Sequence, residues 1–204
     1  MRKLKLYIAG QEGMVGGAIY NLLKEQYNII NCKRSQLNLL DQKDVENWFK
    51  KKKPEIVINA AGRVGGILDN FKFIDEYIYT NTIIGFNLLN NSKKYNIKKF
   101  INLGSACIYP RNSKQPIKEE YLLSSKLEET NEGYALAKIS TLKYCEYINK
   151  RYKKNYITLQ PTNLYGEGDN FNLKSSHVIP ALIKKFHYAK KKLKNSVEVW
   201  GSGN

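Results

Sequence analysis

Lys5-Leu6-Tyr7-Ile8-Ala9-Gly10-Gln11-Glu12-Gly13-Met14-Val15-Gly16 is the segment that sets the fold class. A short apolar run passes directly into three glycines spaced three apart, and residues 15–26 then repeat apolar positions at helical spacing. Glycines at this spacing mean little alone. Between a strand and a helix each serves a purpose. Gly10 permits the tight turn, Gly13 lets backbone approach a pyrophosphate, and Gly16 lets helix and strand pack closely. The pyrophosphate would sit at the positive end of the helix dipole.

Beyond this segment the pattern alternates short apolar runs with longer helical ones. Residues 4–9, 28–32, 56–59, 99–103, 156–160 and 197–200 read as strands, and 15–26, 42–52, 71–95, 134–152 and 178–190 as helices. Such alternation predicts βαβ units, hence an α/β chain with a Rossmann-like, doubly wound parallel sheet. Asp41 suits a helix N-cap, and Pro54 marks that helix's end. Residues 109–131 read as a long loop, which in a compact domain is usually functional. The expected division is a dinucleotide-binding domain over 1–165, followed by only the start of a smaller substrate lobe over 166–204. The abrupt stop at Trp200-Gly201-Ser202-Gly203-Asn204 suggests C-terminal truncation.

The bulk properties narrow the partners. A hydrophobic content of 42% supports a real core, and no apolar run approaches the roughly eighteen residues of a membrane span. Cys32, Cys107 and Cys145 lie far apart without metal-type spacing, which fits a reduced cytoplasmic protein with no metal site. The net charge of +16 invites thought of nucleic acid, but the lysines are spread along helices and loop ends without interleaved aromatics. With Lys, Asn, Ile and Tyr abundant along the whole chain, the charge reads first as a compositional habit and only second as the mark of an anionic partner, and neither nucleic acid nor membrane is expected as partner.

The second strand is followed by Asn31-Cys32-Lys33-Arg34 rather than by the acid that grips the ribose of NAD. Two cations there, one with the planar fork that suits phosphate, favour NADP(H). Glu12 opposes this, because a carboxylate beside phosphates repels them. Asp41 is a candidate for the adenine amino group as well as a helix cap. Asn59-Ala60-Ala61-Gly62 would let the cofactor lie against the third strand, and Asn81 either contacts that cofactor or packs its helix.

Tyr134 and Lys138 stand four apart on one helical face, so the ammonium is expected to favour the phenolate and ease proton exchange. With fifteen tyrosines in the chain that spacing alone is weak. Ser105, just past the fourth strand at the carboxyl edge of the sheet, completes a Ser, Tyr and Lys set suited to reducing a carbonyl. Cys107 and His177 are further candidates, as a thiolate and an imidazole exchanging protons beside that carbonyl. From composition alone Cys107 is more often a buried small residue and His177 a helix-start residue.

These residues carry a resemblance. Gly10–Gly16, Leu37-Asn38-Leu39-Leu40-Asp41, Val64-Gly65-Gly66-Ile67, Gly104-Ser105-Ala106-Cys107-Ile108-Tyr109-Pro110, Tyr134–Lys138, Pro161-Thr162-Asn163-Leu164-Tyr165-Gly166 and Ser176-His177-Val178-Ile179-Pro180 follow in order along the chain. So arranged, the chain resembles the GDP-L-fucose synthase family of the extended short-chain dehydrogenase/reductases, which convert GDP-4-keto-6-deoxy-D-mannose by 3,5-epimerisation and then NADPH-dependent 4-reduction. The resemblance implies Cys107 as base and His177 as acid for epimerisation, and Tyr134 as proton donor with Ser105 and Lys138 for reduction. It implies cofactor contacts at Gly10, Gly13, Met14, Val15, Gly16, Arg34, Asp41, Ala61, Lys138, Pro161, Asn163, Leu164 and His177. For a GDP-sugar it implies contacts at Val178, Leu182, Lys185 and Trp200, and it implies a homodimer built on the helices over 71–95 and 134–152. Three departures stand out: Glu12 replaces the family's usual arginine, Ala106 a common second serine, and Lys185 an arginine. Related readings are another nucleotide-sugar 4-reductase or 4-epimerase, or a dinucleotide-binding protein without catalysis. A 4,6-dehydratase would want an acid beside Ser105, and none is there.

Overall fold

The computed structural model describes residues 2–199 and 201. Strands β1 (Lys5–Ala9), β2 (Asn28–Ile29), β3 (Ile56–Asn59), β4 (Lys99–Leu103) and β5 (Ile157–Leu159) form one sheet in the order β2-β1-β3-β4-β5, and every pair is parallel. Helices α1 (Met14–Leu23), α2 (Gln42–Lys52), α3 (Ile67–Lys72), α4 (Ile74–Lys94), α5 (Glu132–Tyr152) and α6 (Val178–Lys191) complete the Rossmann-like α/β architecture.

Both faces of the sheet are covered, as parallel strands require. In β1 the alternation splits the core. Tyr7 and Ala9 face α2, α4 and α5 in a cluster with Val45, Phe49, Leu88, Phe100 and Cys145. Leu6 and Ile8 face α1 with Ile19, Tyr20 and Leu23. Phe49 and Phe100 are fully buried, and truncating one to alanine costs about 3–5 kcal/mol. Because β2 lies on one side of β1 and β3 on the other, the chain reverses direction across the sheet between β1 and β3. A crevice opens there at the carboxyl ends, where ligands bind in open α/β sheets.

The elements differ from the sequence expectation in four places. The second strand pairs only over Asn28–Ile29, after which the chain leaves the sheet for a 3-10 turn at Arg34–Gln36. The helix expected over 71–95 is two, broken at Phe73, whose φ of −121° and ψ of 37° are not helical. Apolar positions continue through the break, which hides it in the sequence; in the fold the Arg63 guanidinium sits over the Phe73 ring and α3 packs on the 129–131 turn. The 109–131 loop contains 3-10 turns at Glu119–Tyr121 and Glu129–Asn131. The sixth strand is absent from the described part of 197–200: residues 197–199 pair with no strand, and Lys185 instead donates to the Glu198 carbonyl at 3.0 Å. Trp200 lies outside the described residues. Among the described residues no helix is long and apolar enough to cross a membrane.

Candidate active site at the carboxyl edge of the sheet

The glycine turn is built for close approach. Gly10 has φ of +82°, and a Cβ there would lie 2.8 Å from the Ala60 oxygen and from Ala61 at the end of β3. A Cβ on Gly16 would sit 2.1 Å from the Gly10 oxygen, so α1 can begin this near the strand only without a side chain. Gly13 is the α1 N-cap and makes no side-chain hydrogen bond, leaving the helix's first N–H groups facing the crevice. The Gln11 side-chain oxygen is buried without a partner among the described residues. A pyrophosphate fits the backbone N–H groups at the start of α1, whereas the Gln11 oxygen and the Glu12 carboxylate are acceptors and offer it nothing. A cleft of about 420 Å3 runs along the turn, and Glu12, Gly13, Met14, Val15 and Leu164 line it.

The other expected cofactor residues are spread along the same edge. Asp41 caps α2, its Oδ1 accepting from Lys43 N at 2.8 Å and Asp44 N at 2.9 Å. The cap function is therefore real, and one carboxylate oxygen remains for other duty. Arg34 lies in the turn after β2 and is reached by Glu12, whose Oε2 accepts from the Arg34 N–H at 2.9 Å. Ala61 N donates to Asn59 Oδ1 at 3.2 Å, and Asn59 is tied to Asn102 across β3 and β4 at 2.9 Å. Pro161 accepts from the Ala106 N–H at 3.2 Å, which fixes the strand end after β5 to the Ser105 turn. Asn163 is exposed.

Ser105, Cys107, Tyr134 and Lys138 come together. Ser105 follows β4 in extended backbone, its N–H donating to Gln160 Oε1 at 2.8 Å, and its Oγ accepts from Cys107 N at 3.2 Å. The Ser105 hydroxyl stands near enough to the Tyr134 phenol to pull its pKa down. Lys138 is buried one turn along α5, donates to the Leu103 carbonyl at 2.9 Å and lies 5.4 Å from the Tyr134 ring centre. Asn131 Nδ2 donates to Cys107 Sγ at 3.5 Å.

The electrostatics correct one expectation. Tyr134 is pushed up to about 12, first by burial and then by the neighbouring Cys107, against the Ser105 hydroxyl that pulls it down. Lys138 spends its ammonium on the Leu103 carbonyl rather than the phenol, and burial lowers its own pKa to about 8. The phenol therefore holds its proton at neutral pH. That state suits a proton donor to an oxygen gaining charge, rather than a base awaiting a proton.

His177 stands at the N-cap of α6 and is exposed. No side-chain hydrogen bond joins it to the quartet among the described residues. The loop before α3 nevertheless brings the two regions side by side: Gly66 N donates to Ser175 O at 2.9 Å, and α3 packs on the 129–131 turn that carries Asn131. Val178, Leu182 and Lys185 lie at i, i+4 and i+7 of α6, one face of that helix.

Sequence reasoning missed Gln160 and Asn131. Each acts through a contact fifty-five or twenty-four residues away along the chain, which no local pattern announces. Asn81 resolves to packing: its Nδ2 donates to Arg63 O and Tyr77 O, and its Oδ1 accepts from Arg63 N. It clamps the loop beneath the crevice.

The chain is similar to a group of sugar-nucleotide enzymes. It is 46% identical over 98% of its length to a GDP-L-fucose synthase of Sinorhizobium fredii, of which it covers 64%. It is 43% identical over 98% of its length to a GDP-L-colitose synthase of Yersinia pseudotuberculosis, of which it covers 66%. The structure superposes with a TM-score of 0.88 on a GDP-mannoheptose C4 reductase of Campylobacter jejuni with NADP bound, at 34% identity, covering 100% of this chain and 70% of that one. The chain thus spans just under two thirds of the length of the curated relatives it matches. Residues 6–204 match the NAD dependent epimerase/dehydratase family, and with the glycine turn, the parallel sheet and the Ser, Tyr and Lys set in place, the chain belongs to that family.

Proposed function

We propose that this chain is the cofactor-binding and catalytic part of an NADPH-dependent enzyme that converts GDP-4-keto-6-deoxy-D-mannose to GDP-L-fucose, by 3,5-epimerisation followed by 4-keto reduction. The observation that carries the reading is the Ser105, Tyr134 and Lys138 set at the carboxyl end of β4, with the half-buried Cys107 held against it. NADPH supplies the hydride when bound. Tyr134 gives its proton to the C4 oxygen, the Ser105 hydroxyl holds that oxygen in place, and Lys138 keeps a positive charge beneath the pair. The same donors stabilise the enolate formed when a proton leaves C3 or C5, so one oxygen-binding site serves both steps. Cys107 removes that proton and His177 returns one from the α6 side.

The Val178, Leu182 and Lys185 face of α6 receives the GDP-sugar, residues 166–204 opening a substrate lobe. Ile78, Tyr79, Phe86 and Tyr147 leave apolar surface on α4 and α5, which supports a homodimer through these helices. The cytoplasm suits a soluble sugar-nucleotide substrate and the three free cysteines.

A second reading has an observation behind it. His177 is exposed, and among the described residues no hydrogen bond ties it to Cys107, as would suit a plain C4 reductase of another GDP-sugar that needs no acid and base pair. The deciding experiment incubates the protein with GDP-4-keto-6-deoxy-D-mannose in deuterated water without NADPH. Deuterium at C3 and C5 supports the epimerase/reductase, and protonated carbons at both positions, with NADPH still oxidised on its addition, support the plain reductase.

A further inference from the structure

Glu12 is the acid of the glycine turn, and its carboxylate does not stay there. It crosses to the end of β2, where Oε2 accepts from the Arg34 N–H at 2.9 Å. In a Rossmann domain the ground past β2 receives the 2′ substituent of the adenosine ribose. Here two opposite chemistries share that ground. Lys33 and Arg34 offer cations to a 2′-phosphate. Glu12 occupies the backbone donor that such a phosphate would take, and sets a negative charge beside it. For an unphosphorylated ribose the balance reverses, because a carboxylate held by a backbone N–H is a strong acceptor for a hydroxyl.

A further contact fixes the turn. The Lys33 N–H is taken by Gln36 Oε1 at 3.0 Å, so the turn that presents Arg34 is closed on itself and offers no spare backbone donor from Lys33.

We propose that Glu12 sets cofactor choice in this chain: it receives the ribose 2′-hydroxyl of NADH, so that NADH is bound as well as NADPH. This rests on the reading that a nicotinamide dinucleotide lies in the β1–β3 crevice. Arg34 still holds the 2′-phosphate of NADPH, but against repulsion from Glu12, and the two cofactors end with similar affinities.

Fluorescence titration with NADPH and NADH tests it, on the parent protein and on Glu12→Gln and Glu12→Arg. Both substitutions are at an exposed side chain, and circular dichroism checks that the fold is kept. The parent is expected to bind the two cofactors within about tenfold. One charge removed from near a phosphate dianion in solvent is worth about tenfold after screening, so Glu12→Gln should tighten NADPH by about that factor. It should weaken NADH by about threefold for the poorer acceptor, and Glu12→Arg should widen the gap further. A parent more than a hundredfold selective for NADPH, or a ratio that moves less than twofold in Glu12→Gln, overturns the proposal while leaving the crevice as the cofactor site. Binding of neither dinucleotide by any of the three proteins overturns both.

Discussion

Lys138 is a buried cation that the fold would be better off without, and replacing it with methionine should show this. Burial brings its pKa from 10.5 down to about 8, an interval equivalent to about 3 kcal/mol at roughly 1.36 kcal/mol per pKa unit. Below pH 8 both folded and unfolded chains are protonated, and the folded one carries the whole desolvation cost. Between about 8 and 10.5 the unfolded chain holds the extra proton, so stability rises with pH, and above that range the cost is gone. Lys138→Met removes it at every pH but loses the hydrogen bond to the Leu103 carbonyl, worth about 1 kcal/mol. The net expectation at pH 7 is a gain of about 2 kcal/mol, or roughly 4–8 °C in Tm for a chain this size. At pH 10.5 the gain should vanish or change sign. Thermal and urea unfolding of the two proteins side by side at pH 7 and pH 10.5 measures this, and the difference between them cancels every other titrating group. A variant less stable than the parent at pH 7, or a gain that is the same at both pH values, would rule out a net desolvation cost at Lys138.

Other outcomes follow from the same geometry. Tyr134→Phe keeps the ring packed against Tyr77 and should leave NADPH affinity within about threefold while cutting NADPH oxidation by at least a hundredfold; turnover near the parent rate would remove Tyr134 as proton donor. Asn131→Ala takes away the donor on Cys107 Sγ and should slow hydrogen exchange at C3 and C5 by about tenfold, while reduction of an already epimerised substrate is spared. Exchange at the parent rate, or an equal loss in both steps, would make Asn131 a packing residue only. Gly16→Ala forces a Cβ onto the Gly10 oxygen, and should destabilise the fold by several kcal/mol, seen as a fall in Tm, or displace α1 enough to abolish dinucleotide binding. A stable variant with parental affinity would contradict the close packing of turn and helix.

Much of the scaffold was legible because its signals are local. The glycine turn, the apolar runs of β1, β3 and β4, and the Asp41 cap each declare themselves within a few residues, and all stand where expected. β2 was overread because Cys32 is apolar for a different reason: it packs on the core from beyond the last bond to β1, Ile30 N to Leu6 O at 2.8 Å. The site divides in the same way. Ser105, Tyr134 and Lys138 could be found from spacing plus strand context. Their protonation states could not, since spacing places Lys138 one turn from Tyr134 but cannot show the Leu103 carbonyl that takes its ammonium. Gln160 on Ser105 and Asn131 on Cys107 are tertiary pairings of ordinary polar residues, invisible until β5 and the 129–131 turn are brought beside β4. Glu12 lies between these cases: its sign was readable, its reach to Arg34 was not.

If one site performs proton exchange and reduction in sequence, the product itself must carry the record of both. That product, formed from GDP-4-keto-6-deoxy-D-mannose and NADPH in deuterated water, can be read by NMR for the parent and for Cys107→Ser. The parent should yield GDP-L-fucose carrying deuterium at C3 and C5, and Cys107→Ser should lose that product with dinucleotide binding unchanged. A parent product reduced at C4 but undeuterated at C3 and C5, or full deuteration by the Cys107→Ser variant, would show that the two steps do not share this site.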